Sequence, residues 1–259
     1  MTDRALASFH PAPSKPKLQL PRGAWDTHCH VFGPRPQFPY AASTRPELPD
    51  APKERLFALH EMLGIERCVI VQSAAHGTDN RAAEDALAAK PGTYLGVALL
   101  PVTVTDDELR RLGGLGFRGV RFNFMPHLKP TASIDDVLAF APRLAAFGWH
   151  LQIHMDPSLI GEMAPKLKQS RAPVVIDHVG RIDARLGLEQ PAFHNLLAMM
   201  AASRIHVKLS GCDRNSAFGP PYVDALAFAK KLVKEFPDQV LWGTDWPHPN
   251  HQGPVPDDG

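Results

Sequence analysis

WDTHCHVFGP, residues 25–34, sets two histidines one residue apart in a short β-prone run. Side chains alternate across a strand, so Asp26, His28 and His30 share one face while Trp25, Thr27 and Cys29 share the other. A row of polar groups on a buried face is costly unless the groups find partners. The stretch therefore reads as the strand that opens a polar site.

Working outward, β-branched runs of the same kind recur at 67–73, 94–100, 117–124, 149–155, 173–179, 204–210 and 239–245. Between them lie patterns with helical spacing, such as KERLFALHEMLG, NRAAEDALAAK and PYVDALAFAKKLVKEF. Thr78 or Asp79 and Ser133 stand where helix N-caps are wanted, and Gly64, Gly113 and Gly148 where left-handed C-terminal caps are wanted. Regular alternation of strand and helix argues for parallel βαβ units. The expected fold is α/β, a (β/α)8 TIM barrel. A doubly wound sheet is the weaker reading, because no GxGxxG follows the first strand. The chain stops at Gly259, soon after the eighth run, so the barrel is expected to lack its last helix.

Residues 1–22 read as a Pro-rich arm and residues 23–259 as one domain. The net charge of +1 gives no electrostatic basis for binding nucleic acid or an anionic membrane. No apolar run reaches the roughly 18 residues that a membrane span needs. The N-terminus lacks the apolar core of a secretory signal. Cys29, Cys68 and Cys212 form no CxxC pair, which fits a reducing, cytoplasmic setting better than a disulfide framework.

Other strands carry polar faces too. Arg121 and Asn123 share a face of the fourth, His150, Gln152 and His154 of the fifth, and His206, Lys208 and Ser210 of the seventh. His178 and Asp245 stand at the ends of the sixth and eighth. Barrel active sites are built at the C-terminal ends of the strands, where groups from several strands meet. His28, His30, His178 and Asp245, with His154 as an additional candidate, make a donor set for one divalent metal, zinc or manganese, with a position left for water. The same set suits a metal-free site in which Asp245 is the general base and the imidazoles stabilise an oxyanion. His10, His60, His76 and His194 carry no such signal.

The sequence resembles the amidohydrolase superfamily and, within it, the 2-pyrone-4,6-dicarboxylate hydrolase-like lactonases. The resemblance rests on WDTHCHVFGP, GVRFN (119–123), VVIDHVGR (174–181), KLSGCDR (208–214) and WGTDWPHPN (242–250), and runs from about residue 22 to the end. It implies a hydrolase that opens a carboxylated lactone or pyrone ring in aromatic-compound catabolism. His28, His30, His178 and Asp245 are then catalytic or metal-holding. Ser73, Arg121 and Arg214 are anion-binding, and His154, Asn123 and His248 complete the substrate contacts. Guanidiniums suit carboxylates because they bond them bidentately. The competing expectation for Arg121 is a buried ion pair with Asp26 or Asp156. The loop after the fourth strand reads MPHLKP, where His127 or Lys129 is expected to supply a further basic group. FRGVRFNF offers no bridging Lys or acid, so a two-metal site is not expected. The rival functions are a metal-dependent decarboxylase or hydratase of an unsaturated dicarboxylic acid, and a carboxylate-binding protein without turnover.

Overall fold

The computed structural model describes residues 8–44, 46, 48–128, 130–201, 204–249, 251 and 255–259. Eight strands run β1 (Trp25–Cys29), β2 (Arg67–Val71), β3 (Tyr94–Ala98), β4 (Phe117–Phe124), β5 (His150–Met155), β6 (Val174–Ile176), β7 (Ile205–Leu209) and β8 (Val240–Trp242). Helices alternate with them: α1 (Lys53–Leu63), α2 (Arg81–Ala89), α3 (Asp106–Leu115), α4 (Ile134–Ala146), α5 (Ile160–Leu167), α6 (Pro191–Ala201), the single turn α7 (Cys212–Asn215) and α8 (Val223–Glu235). The sheet order is β1 through β8 in sequence, which is the strand order of a (β/α)8 barrel. Among the described residues no helix follows β8, and none is long and apolar enough to cross a membrane. The chain divides into two compact units.

The first unit takes the chain to Leu99, adds Gly114–Phe117, and ends with the segment from Gly243. β1 and β2 pair in parallel with Asp26 opposite Cys68 and Cys29 opposite Ile70, so the register slips between them. β2 and β3 pair regularly from Cys68↔Tyr94 to Val71↔Val97. α1 buries Leu56, Leu59, His60 and Leu63, a stripe at helical spacing, and ends in left-handed Gly64. α2 buries Ala82, Ala83, Ala86 and Leu87, small residues that let it lie close. Its N-cap is Asn80 rather than Thr78 or Asp79; the Asn80 side chain instead bonds Thr78 O, Leu99 O and Leu99 N. A Cβ on Gly96 would fall 2.6 Å from the Phe117 ring, so only glycine admits that aromatic.

The second unit comprises Leu100–Gly113 and Arg118–Trp242. β4 to β8 pair in parallel, with Arg121 opposite Gln152, Asn123 opposite His154, and Val175 opposite His206. α4 opens with a capping box in which Ser133 and Asp136 bond each other's backbone. It buries Val137, Phe140, Ala141 and Leu144. Full burial of one such Leu or Phe side chain contributes about 1.5–3 kcal/mol. α5, α6 and α8 present Ile160, Met163 and Leu167, then Phe193 and Leu196, then Phe228 and Leu232. Gly113 lies inside α3, and Gly116, at φ 109°, makes the left-handed step expected one turn earlier. β6 and β8 each close after three residues, shorter than the sequence pattern suggests. In both cases the chain turns left-handed just beyond, at His178 (φ 51°) and Asp245 (φ 63°).

Candidate active site

In the first unit the end of β1 and the turn after β8 are laced together. Asp245 N–H donates to His28 O at 2.8 Å, and His30 N–H donates to Trp246 O at 2.7 Å. The Asp26 carboxylate accepts from His28 N–H (2.9 Å), Thr244 N–H (3.1 Å) and Thr244 Oγ1 (2.6 Å), and faces His60 Nε2 at 3.2 Å. Asp26, His28 and Asp245 are all fully buried. A Cβ on Gly243 would lie 2.6 Å from His28 N, so the close approach of this turn to β1 requires glycine. These main-chain bonds put His28 Nε2 3.7 Å and His30 Nε2 3.4 Å from the same oxygen, Asp245 Oδ1.

His30 Nδ1 sits 2.7 Å from Val71 O, and a carbonyl can only accept, so Nδ1 carries the hydrogen. A neutral His30 then turns its Nε2 lone pair toward a carboxylate oxygen. Two acceptors at that separation call for a proton or a metal cation beside them. The donor set therefore fits a divalent ion. Left-handed Asp245 and His248 (φ 55°) bear backbone strain of about 1 kcal/mol or more each, of a kind that concentrates at functional sites. His248 Nε2 pairs with Asp258 Oδ1 at 2.9 Å and both side chains are buried. Ser73 caps the short turn after β2, its Oγ accepting from Ala75 N–H at 3.2 Å.

In the second unit Arg121 Nε donates to Asp177 Oδ2 at 2.8 Å, with the side chains 6% and 0% exposed. Asp177, rather than Asp26 or Asp156, is thus the partner of Arg121. His154 Nδ1 donates to Asn123 Oδ1 at 3.1 Å. Its buried Nε2 has no hydrogen-bond partner among the described residues. Burial, then the charges of Arg121 and His178, hold the His154 pKa well below the ordinary value, so the ring is neutral. The His154 and His178 rings meet edge to face with centroids 5.3 Å apart. His178 Nδ1 lies 3.0 Å from Ser210 Oγ. A Cβ on Gly211 would fall 2.9 Å from His178 Nδ1 and 3.0 Å from Arg214 Cδ, so this glycine lets the two approach from either side. Burial, then the Arg181 and Arg214 guanidiniums, push His127 below its ordinary pKa, which places three basic groups near one another. Lys129 lies outside the described residues, as does Asn250 of the last motif.

The family model described as amidohydrolase matches residues 25–259. The chain belongs to the amidohydrolase family. It is 41% identical over 256 residues to a 2-pyrone-4,6-dicarboxylate hydrolase from Comamonas testosteroni, covering 95% of this chain and 84% of the relative. It is 38% identical over 236 residues to a 4-sulfomuconolactone hydrolase from Hydrogenophaga intermedia, covering 90% and 77%. A solved structure from Acinetobacter baumannii, described as a probable 2-pyrone-4,6-dicarboxylic acid hydrolase with citric acid bound, superposes with a TM-score of 0.78. That structure is 29% identical and covers 88% of this amidohydrolase and 86% of its own chain.

Within its first unit this amidohydrolase brings together His28, His30, Asp245 and His248, and within its second Arg121, Asn123, His154, His178 and Arg214. Asp177 as the anchor of Arg121, Asp258 as the partner of His248, and Arg181 beside His127 are contributions that the strand-face pattern does not single out. Arg181 had a signal available, since it ends the same VVIDHVGR motif as His178. His60 and His76 also prove structural. His60 bonds Tyr94 OH and Asp26. His76 Nε2 accepts from Gly33 N–H at 3.1 Å while Nδ1 donates to Pro39 O at 2.9 Å, tying down the loop after β1.

Proposed function

We propose that residues 23–259 work as one amidohydrolase-type barrel domain that hydrolyses a carboxylated lactone or 2-pyrone. The observation that carries this reading is the pair of buried imidazole nitrogens, His28 Nε2 and His30 Nε2, held against a single Asp245 oxygen. Relatives that hydrolyse pyrone and muconolactone acids support it. Asp245 removes a proton from water, and the resulting hydroxide attacks the ring carbonyl carbon. His28, His30 and His178 stabilise the oxyanion. As the tetrahedral intermediate collapses, the ring C–O bond breaks and the leaving oxygen takes the proton held by Asp245.

Arg121, fixed through Nε by Asp177, turns its Nη groups to one substrate carboxylate. Arg214, with Ser73, receives another. Asn123, His154 and His248 complete the wall, His154 presenting its neutral Nε2 to a substrate hydroxyl or to water. Where a divalent ion is held, His28, His30, His178 and Asp245 hold it, and its chemistry is Lewis-acid polarisation of the carbonyl.

The test is Asp245→Asn assayed by ring opening of pyrone and muconolactone acids. Turnover is expected to fall at least about a hundredfold, the typical share of a general base, with the fold intact by circular dichroism. Undiminished turnover removes Asp245 from the mechanism.

A further inference from the structure

Behind the HxH strand, on the side facing α1, lies a second cluster that the hydrolytic reading does not use. Cys29 of β1, Cys68 of β2 and His60 of α1 are buried, at 0%, 0% and 1% exposure. One donor atom from each lies within 4.8 Å of the other two. The two sulfurs are 3.1 Å apart. His60 Nδ1 meets Tyr94 OH at 2.7 Å, which leaves Nε2 as the ring nitrogen turned to the cluster side, where Asp26 Oδ2 lies 3.2 Å away. The register slip between Asp26 and Cys29 belongs to the same place, since it occurs in the short stretch that carries one of the sulfurs.

We propose that Cys29, Cys68 and His60 form a structural binding site for a soft, thiophilic divalent cation of the zinc class, distinct from the catalytic rim. Two thiolates and one imidazole are a donor set that selects zinc over the hard, oxygen-seeking cations. Binding replaces the two thiol protons and the proton that His60 Nε2 shares with Asp26 Oδ2, and all of them leave to solvent. Two thiolates then cancel the charge of the dication, and the buried Asp26 carboxylate keeps its own bonds from Thr244 and His28 N–H. The Tyr94 hydroxyl orients His60 from the far side, as outer partners of metal-binding histidines do. Asp26 Oδ2 already accepts from Thr244 Oγ1 at 2.6 Å, and its second lone pair, turned to His60, is the one that a fourth position would use. Tetrahedral placement at about 2.3 Å from zinc needs sulfurs about 3.8 Å apart, so they must part by roughly 0.7 Å from their 3.1 Å separation, within the reach of side-chain rotation. Such an ion staples β1, β2 and α1 directly behind His28 and His30, and so steadies the strand that aims them.

The experiment uses the full chain produced in cobalt-supplemented minimal medium, so that the ion is present as the buried site forms. A near-ultraviolet thiolate-to-cobalt charge-transfer band is expected, together with one cobalt per chain that resists dialysis and is lost with the band in Cys29→Ser and Cys68→Ser. Cys212→Ser is expected to keep the band, because that thiol lies outside the cluster. His28→Asn is expected to keep it as well, because a rim ion bound only by imidazole and carboxylate gives no sulfur band. Absence of the band from the cobalt-grown wild-type protein overturns the proposal. So does a band that survives in both serine variants, or a mass showing Cys29 and Cys68 joined as a disulfide. The wild-type spectrum and mass decide the matter even if the serine variants fail to fold.

Discussion

Asp177→Asn tests whether the Arg121 clamp depends on its buried partner. The substitution keeps the shape of the side chain and an oxygen for Arg121 Nε, but removes the charge that balances a guanidinium only 6% exposed. Removing one member of a buried pair strands the other, which typically costs about 3–5 kcal/mol. Because Asn retains an acceptor, the lower end, about 3 kcal/mol, is expected. For a chain of this size each kcal/mol lowers the melting temperature by about 2–4 °C, so a fall of about 6–12 °C should appear in a thermal scan. The double variant Arg121→Met with Asp177→Leu replaces both charges by apolar groups and should recover most of that loss, since a well-packed apolar pair often matches a buried ion pair. In the ring-opening assay Asp177→Asn should raise KM for a dicarboxylate more than it lowers kcat, because it loosens a binding group. A melting temperature within about 2 °C of wild type, or a double variant as unstable as the sum of the singles, refutes the reasoning.

Thr244→Val deletes the 2.6 Å bond to Asp26 Oδ2 and the acceptor for Trp246 N–H. The buried carboxylate loses a donor, so about 1.5–3 kcal/mol of stability should go, read by urea unfolding, and kcat should fall because the turn carrying Asp245 loosens. A stable variant with full kcat breaks the link from Asp26 to the catalytic turn. His76 is held below its ordinary pKa of 6.5, first by burial, and its Nε2 cannot accept from Gly33 N–H once protonated. The unfolded chain therefore binds the extra proton first, and stability falls as pH drops below about 6.5. Urea midpoints from pH 7.5 to 5 should decline more steeply for wild type than for His76→Gln, and parallel declines exclude His76 as the source.

How far the sequence carried this reading depends on how local each feature is. Alternating β-branched runs and helical stripes depend on a few neighbouring residues, so the strand order and the Ser133 N-cap were legible. The HxH pair was legible because period-two alternation is local. Strand ends were not. Beyond Trp242 the chain leaves β8, with Gly243 against His28 and Thr244 bonded to Asp26, residues more than two hundred positions away in the chain. Strict alternation would set Asp245 on the same side as Leu241, yet its aim comes from a left-handed turn, which alternation does not encode. His178 departs from β6 in the same way.

Ion-pair partners failed for the same reason. Asp26 looked like a match for Arg121 because both face inward on a strand, but its carboxylate is already occupied by Thr244 and His28 N–H and faces His60. Asp177 fills the vacancy because its main-chain N–H bonds Ile153 O on β5, the strand that runs beside β4, and that bond holds its carboxylate beside Arg121. His60 was readable in principle. It sits in the Leu56, Leu59, Leu63 stripe of α1, and a histidine on the buried stripe of a helix must bond something. What it bonds is a carboxylate of β1 and a tyrosine of β3, beside cysteines of β1 and β2. The strand that carries His28 and His30 therefore has polar chemistry on both faces. Its apolar packing cannot explain by itself why it stays where it does.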